Sequence, residues 1–93
     1  MKFRKKPVVI EAIQFTGGAE NRHAVLEFTG VAAPNASTIY WRSGTNDHAG
    51  ELVIRTLEGD LVASPGDWII RGVVGEIYPC KPHVFDATYE AAD

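Results

Sequence analysis

The apolar residues of this chain follow a strand-like alternation, then a helical spacing, then alternation again until a short helical stretch near the end. Pro7-Val8-Val9-Ile10-Glu11-Ala12-Ile13-Gln14-Phe15 is rich in β-branched residues, with its proline at the start, where a strand tolerates a missing N–H. Val9, Glu11, Ile13 and Phe15 share one face, and Val8, Ile10, Ala12 and Gln14 the other. Apolar residues on both faces predict a strand buried mostly on two sides. Thr16-Gly17-Gly18 ends it. Over residues 19–29, Ala24, Val25 and Phe28 fall at helical spacing, with Glu20, Arg22 and Glu27 elsewhere on the wheel. Gly30 stands where a helix C-terminus favours positive φ, so a helix is expected over 19–29, then a loop over 31–37.

Alternation then returns. Residues 37–43 hold Ile39, Tyr40 and Trp41, and residues 44–50 are turn-formers. In 51–56, Leu52 and Ile54 alternate with Val53 and Arg55. A tight turn at Glu58-Gly59 would place Arg55 opposite Val62 and Ile54 opposite Ala63, with Leu52, Ile54, Leu61 and Ala63 on one face. Ser64-Pro65-Gly66-Asp67 has proline and glycine where a β-turn with positive φ at its third residue needs them. Strands are expected over 67–71 and 74–78. From Pro82 to Ala92, Val84, Phe85, Thr88 and Tyr89 return to helical spacing, and Pro82 suits a first helical turn. The pattern predicts an α+β, mainly β fold: a small curled antiparallel sheet or partly open barrel of about six strands, with one helix near 19–29 and a short C-terminal helix.

Composition narrows the function classes. The 93 residues fit a single domain over 1–93, and 45% hydrophobic with 23% charged residues is the balance of a globular protein. No apolar run is long enough to span a membrane or to form a signal-peptide core. A net charge of −3 argues against a dedicated nucleic-acid binder. One cysteine excludes an internal disulfide and a Cys-built zinc site, and fits a reducing compartment. A chain this small has a modest core, so a homo-oligomer is expected. The charge is unevenly spread: Lys2, Arg4, Lys5 and Lys6 are four of the nine cations, a basic stretch that could protect a sheet edge.

Catalytic equipment is not legible. Cys80, His83 and Asp86 suggest nucleophile, base and orienter, but such groups ordinarily converge from distant parts of a chain. A half-buried thiol in a strand-to-helix corner accounts for Cys80. His23, His48 and His83 stand far apart, and Cys80 with His83 supplies half a metal site. Gly17 and Gly18 precede a helix but lack the further residues of a phosphate loop. The sharper set is cationic and aromatic: Tyr40, Arg42, Arg55, Trp68, Arg71, Tyr78 and Lys81, interleaved in predicted strands. Guanidinium groups suit phosphate and aromatic faces suit bases. The more ordinary reading is that such arginines pair with Asp60, Asp67 or Glu76 while the tryptophans fill the core.

Two segments carry a resemblance: residues 1–15, MKFRKKPVVIEAIQF, and the run from Leu57-Glu58-Gly59-Asp60 through Ser64-Pro65-Gly66-Asp67-Trp68-Ile69-Ile70-Arg71-Gly72-Val73, Gly75-Glu76 and Tyr78-Pro79-Cys80-Lys81-Pro82 to Phe85. Together they resemble a family of small, largely uncharacterised bacteriophage and prophage proteins. Val74 stands where that family suggests a lysine. The resemblance implies a phage-encoded protein in the host bacterial cytoplasm, and it brings no active site or cofactor. The expectation is a non-enzymatic binding protein that sequesters a small anionic nucleotide-type signal of host defence. The alternative is a protein–protein interaction or structural module, with a host or phage protein as partner.

Overall fold

The computed structural model describes residues 1–30, 39–44, 50–56 and 59–92. Their elements are β1 (Glu11–Gln14), α1 (Ala19–Thr29), β2 (Ile39–Arg42), β3 (Glu51–Thr56), β4 (Gly59–Ala63), β5 (Trp68–Arg71), β6 (Ile77–Cys80) and α2 (Pro82–Thr88). The expected loop over 31–37, the first part of the 37–43 strand, most of the 44–50 loop with His48, and Glu58 of the expected hairpin turn lie outside the described residues.

The described residues are mostly β with two short helices, as the α+β expectation has it, but the six strands form two antiparallel sheets of three rather than one sheet. Sheet A runs β1-β5-β6 and sheet B runs β2-β3-β4. Their separation follows from the Ser64–Asp67 turn, closed by the Asp67 N–H donating to the Ser64 carbonyl at 3.0 Å with Gly66 at φ 102°. This turn sends β5 away from β4, and β5 takes β1 as its partner across a long stretch of sequence.

Register assigns the faces. In sheet B, Ile39, Trp41, Leu52, Ile54, Leu61 and Ala63 share one side, and Tyr40, Arg42, Glu51, Val53, Arg55, Asp60 and Val62 the other. In sheet A, Glu11, Ile13, Ile69, Arg71, Ile77 and Pro79 share one side, and Ala12, Gln14, Trp68, Ile70, Tyr78 and Cys80 the other. The core joins both sheets to α1: Phe15, Val25, Ile39, Leu52, Ile54, Ala63 and Ile69 are buried together. α1 ends as its glycine requires, with Gly30 in the left-handed region (φ 71°) and its N–H on the Glu27 carbonyl. α2 starts at Pro82 and closes on the Tyr89 N–H, short of the 82–92 span that spacing suggests.

Three expectations about strand bounds and register are corrected as well. β1 starts at Glu11 rather than Pro7, because its partner β5 ends at Arg71, which pairs with Glu11. Val8 and Val9 are therefore 46% and 77% exposed, not buried on two sides. The β3–β4 hairpin pairs Arg55 with Asp60 and Ile54 with Leu61, two residues away from the expected register. Thr56 pairs with Gly59, so Gly59 is a strand residue rather than part of the turn. The slip is even, so Leu52, Ile54, Leu61 and Ala63 keep a common face. β6 starts at Ile77 rather than Val74, because a turn occupies residues 72–76: Gly72 N–H donates to the Glu76 carbonyl (2.8 Å) and Gly75 N–H to the Gly72 carbonyl (3.0 Å). Val73 and Val74 are exposed there.

Candidate functional site

The seven candidate residues do not converge. Tyr40, Arg42 and Arg55 stand on the face of sheet B opposite the one that gives Ile39, Leu52, Ile54 and Ala63 to the core cluster. There the Arg55 guanidinium lies over the Tyr40 ring, 5.0 Å from its centroid. Arg42 is held by Glu51, its register partner, with Nε donating to Oε1 at 2.6 Å. Between these charges run Tyr40, Val53 and Val62, directly opposite one another on three strands. Val53 is buried, while Val62 is exposed. The accessible apolar surface is therefore Tyr40 and Val62, with the Arg42–Glu51 pair at one end and the Arg55–Asp60 rung at the other.

Trp68 and Tyr78 lie on the face of sheet A that α2 covers. Pro82 starts α2 directly after β6, and its 3.6-residue repeat brings Phe85 and Tyr89 to the sheet. The Phe85 ring stacks on Trp68 with centroids 4.2 Å apart and planes 6° from parallel. Tyr89 tilts against Phe85 at 5.1 Å, and Lys5 lies over the Tyr89 ring at 5.1 Å. Trp68 therefore uses one face on the protein's own phenylalanine, a position a base would otherwise take.

The Tyr78 hydroxyl lies 3.5 Å from that of Tyr89. This hydrogen bond, then burial, then the neighbouring Tyr89 and Glu76 charges push the Tyr78 phenol from 10.0 up to about 12. Tyr89→Phe is expected to bring Tyr78 back toward 10.0, read as the midpoint of an ultraviolet phenolate titration. An unchanged midpoint would assign the shift to burial instead. The sign for folding follows: an acid raised in the native state withdraws stability as the solution is made more alkaline from 10.0 toward 12.

The other two cations serve the fold. Arg71 points to the opposite side of β5 from Trp68, lies over the Phe28 ring of α1 at 4.5 Å, and pairs with Glu11 at 3.4 Å. Lys81 Nζ donates to Asp67 Oδ2 at 2.9 Å, one rung beyond the Trp68–Cys80 pair. Cys80 is half-buried at the end of β6. Burial raises its pKa and the Asp67 carboxylate adds to the rise, while Lys5 opposes them, so the group rests as a thiol at neutral pH. Among the described residues, no three His, Cys, Asp or Glu side chains gather as a metal site.

Lys5, Arg22, Phe85 and Tyr89 also take part in these aromatic contacts, and nothing in their local sequence marks them for that role. Arg22 of α1 lies over the Trp41 ring at 4.3 Å with its Nε buried and unpartnered among the described residues. The helical spacing of Phe85 and Tyr89 was visible, but the Trp68 surface they cover belongs to a strand whose face depends on register. No protein-family model, curated protein or solved structure matches this chain.

Proposed function

We propose that the chain is a non-enzymatic binding protein that covers a protein partner with the outer face of sheet B. The observation carrying this reading is the composition of that face. Half-buried Tyr40 and exposed Val62 flank the buried Val53 and form a small apolar centre, bordered by an arginine and a carboxylate at each end: Arg42 with Glu51, and Arg55 with Asp60. An apolar centre with a charge-balanced rim is the anatomy of a protein interface, where Tyr and Arg are favoured anchors. The intramolecular ion pairs of Arg42, Arg71 and Lys81 count against one convergent anion pocket. The resemblance to small phage proteins supports a phage-encoded protein at work in the host bacterial cytoplasm, with a host or phage protein as its partner. Among the described residues, no helix is long and apolar enough to cross a membrane.

A second reading keeps the small anionic nucleotide as ligand, favoured by the Arg55 guanidinium over the Tyr40 ring. A base could lie against the tyrosine while Arg55 meets a phosphate. One pair of assays separates the two. For a protein partner, Val62→Asp and Tyr40→Ala each abolish retention of a specific host or phage protein while leaving the melting temperature unchanged. For a nucleotide, one member of a panel of cyclic dinucleotides and cyclic ADP-ribose isomers stabilises the protein by about 2.7 kcal/mol at a hundred times its Kd. That stabilisation disappears in Arg55→Ala. Partner retention untouched by both face variants overturns the first reading, and a flat nucleotide panel overturns the second.

A further inference from the structure

We propose that two copies of this chain join through the Lys5–Glu11 segment that leads into β1, the segment of one copy lying antiparallel beside the same segment of the other as an edge strand. This association is independent of the ligand reading above. β1 hydrogen-bonds to one strand, β5, and among the described residues no strand flanks its other side. The segment leading into it is β-branched and open to solvent, with Val8 46% and Val9 77% exposed.

Backbone direction identifies which residues address the open side. Successive residues of an antiparallel strand turn their N–H and C=O alternately to the two neighbours. The Phe15 N–H donates to Asp67 on the β5 side (2.8 Å), whereas the Gln14 carbonyl accepts from Asn21 Nδ2 on the other (2.8 Å). Continued toward the start of the chain, this alternation turns Ala12, Ile10, Val8 and Lys6 outward, and Glu11, Val9 and Pro7 toward the β5 side. Pro7 therefore falls where its missing N–H removes no bond from the new edge.

Symmetry and charge then select one register. A two-fold axis normal to the sheet pairs its central residue with its own copy. Centring on Val8 sets Lys5 opposite Glu11 at both ends, Pro7 opposite Val9, and Lys6 opposite Ile10. Centring on Pro7 or Val9 instead sets Glu11 opposite Phe3 or Pro7, with no opposite charge. Parallel, in-register stacking would set each of Lys2, Arg4, Lys5 and Lys6 against itself, so the basic stretch opposes open-ended assembly while permitting this closed pair. Lys5 leaves its exposed contact over Tyr89 for Glu11 of the second copy. The result joins the two copies of sheet A, each in the order β6-β5-β1, through their paired Lys5–Glu11 segments.

The test uses the full chain in sedimentation and cross-linking. Val8→Cys in a Cys80→Ser background brings two thiols across a hydrogen-bonded pair, about 5.5 Å apart at Cα, and mild oxidation is expected to give a covalent dimer. Val9→Cys, its copies roughly 8 Å apart along and across the strands, cross-links far less. Lys5→Glu and Glu11→Lys each weaken the dimer by about tenfold, and the double exchange restores it. Circular dichroism confirms that each variant is folded. A wild-type monomer at every concentration, equal cross-linking at positions 8 and 9, or a double exchange no better than the single changes overturns the proposal. Strand addition by a different polypeptide would appear as a wild-type monomer and is likewise contrary to it.

Discussion

Phe15→Ala is expected to cost about 3–5 kcal/mol, the range for truncating a fully buried phenylalanine. A domain of this kind has only about 5–15 kcal/mol to lose, so the variant should be largely unfolded or close to its unfolding midpoint at ordinary temperature. Phe15 is 0% exposed and follows β1 directly, so its ring sits where sheet A, sheet B and α1 meet. Its edge packs against Trp41 at 5.7 Å and 69°, an aromatic arrangement that contributes about 0.5–1.5 kcal/mol beyond area. Its N–H and carbonyl bond to Asp67 and Gly66, anchoring the backbone so that a cavity cannot readily collapse. Urea unfolding measures the loss. Phe15→Leu, nearer in volume, should cost less than about 1.5 kcal/mol if the hole is the cause. Equal losses for the two substitutions would instead point to the lost ring–ring contact.

Asp67→Ala is expected to cost about 2–3 kcal/mol, although aspartate is ordinarily a surface residue. Asp67 is 3% exposed, and one carboxylate oxygen accepts both the Ser64 N–H at 3.0 Å and Lys81 Nζ at 2.9 Å. That oxygen therefore fastens the turn that separates the sheets to the junction of β6 with α2. Removing it strands the Ser64 N–H and frees the end of the Trp68–Cys80 ladder. Lys81 is 56% exposed and can return to water, which limits the cost below that of a wholly buried ion pair. Asp67→Asn keeps an acceptor for Ser64 and should lose less. If alanine and asparagine cost the same in urea unfolding, the ammonium contact rather than the turn bond carries the effect.

Local chemistry was legible wherever one residue type meets one local demand. The helix over 19–29 follows from spacing and Gly30, the bend at Ser64–Asp67 from proline and glycine, and the start of α2 from Pro82. The strand over 74–78 was misplaced because Val73 and Val74 read as strand residues, while the Glu76 carboxylate accepts the Val74 N–H at 3.1 Å and holds a turn. The candidate site was legible as residue types but not as a place. Arg42, Arg71 and Lys81 look alike in the chain, yet Glu51, Glu11 and Asp67 meet them respectively in space.

By itself, then, the sequence determined the helices, the main turn and the existence of alternating strands, because those depend on backbone preferences within a few residues. Only the tertiary structure decided that β5 pairs with β1 and that the strands divide into two sheets. It also decided which candidate side chains share a face. Alternation specifies two sides of a strand but not its neighbour or its register, and a shift of one residue exchanges the sides. Partner choice rests on how Phe15, Ile69, Leu52 and Ile54 can be buried together, a property no single segment carries.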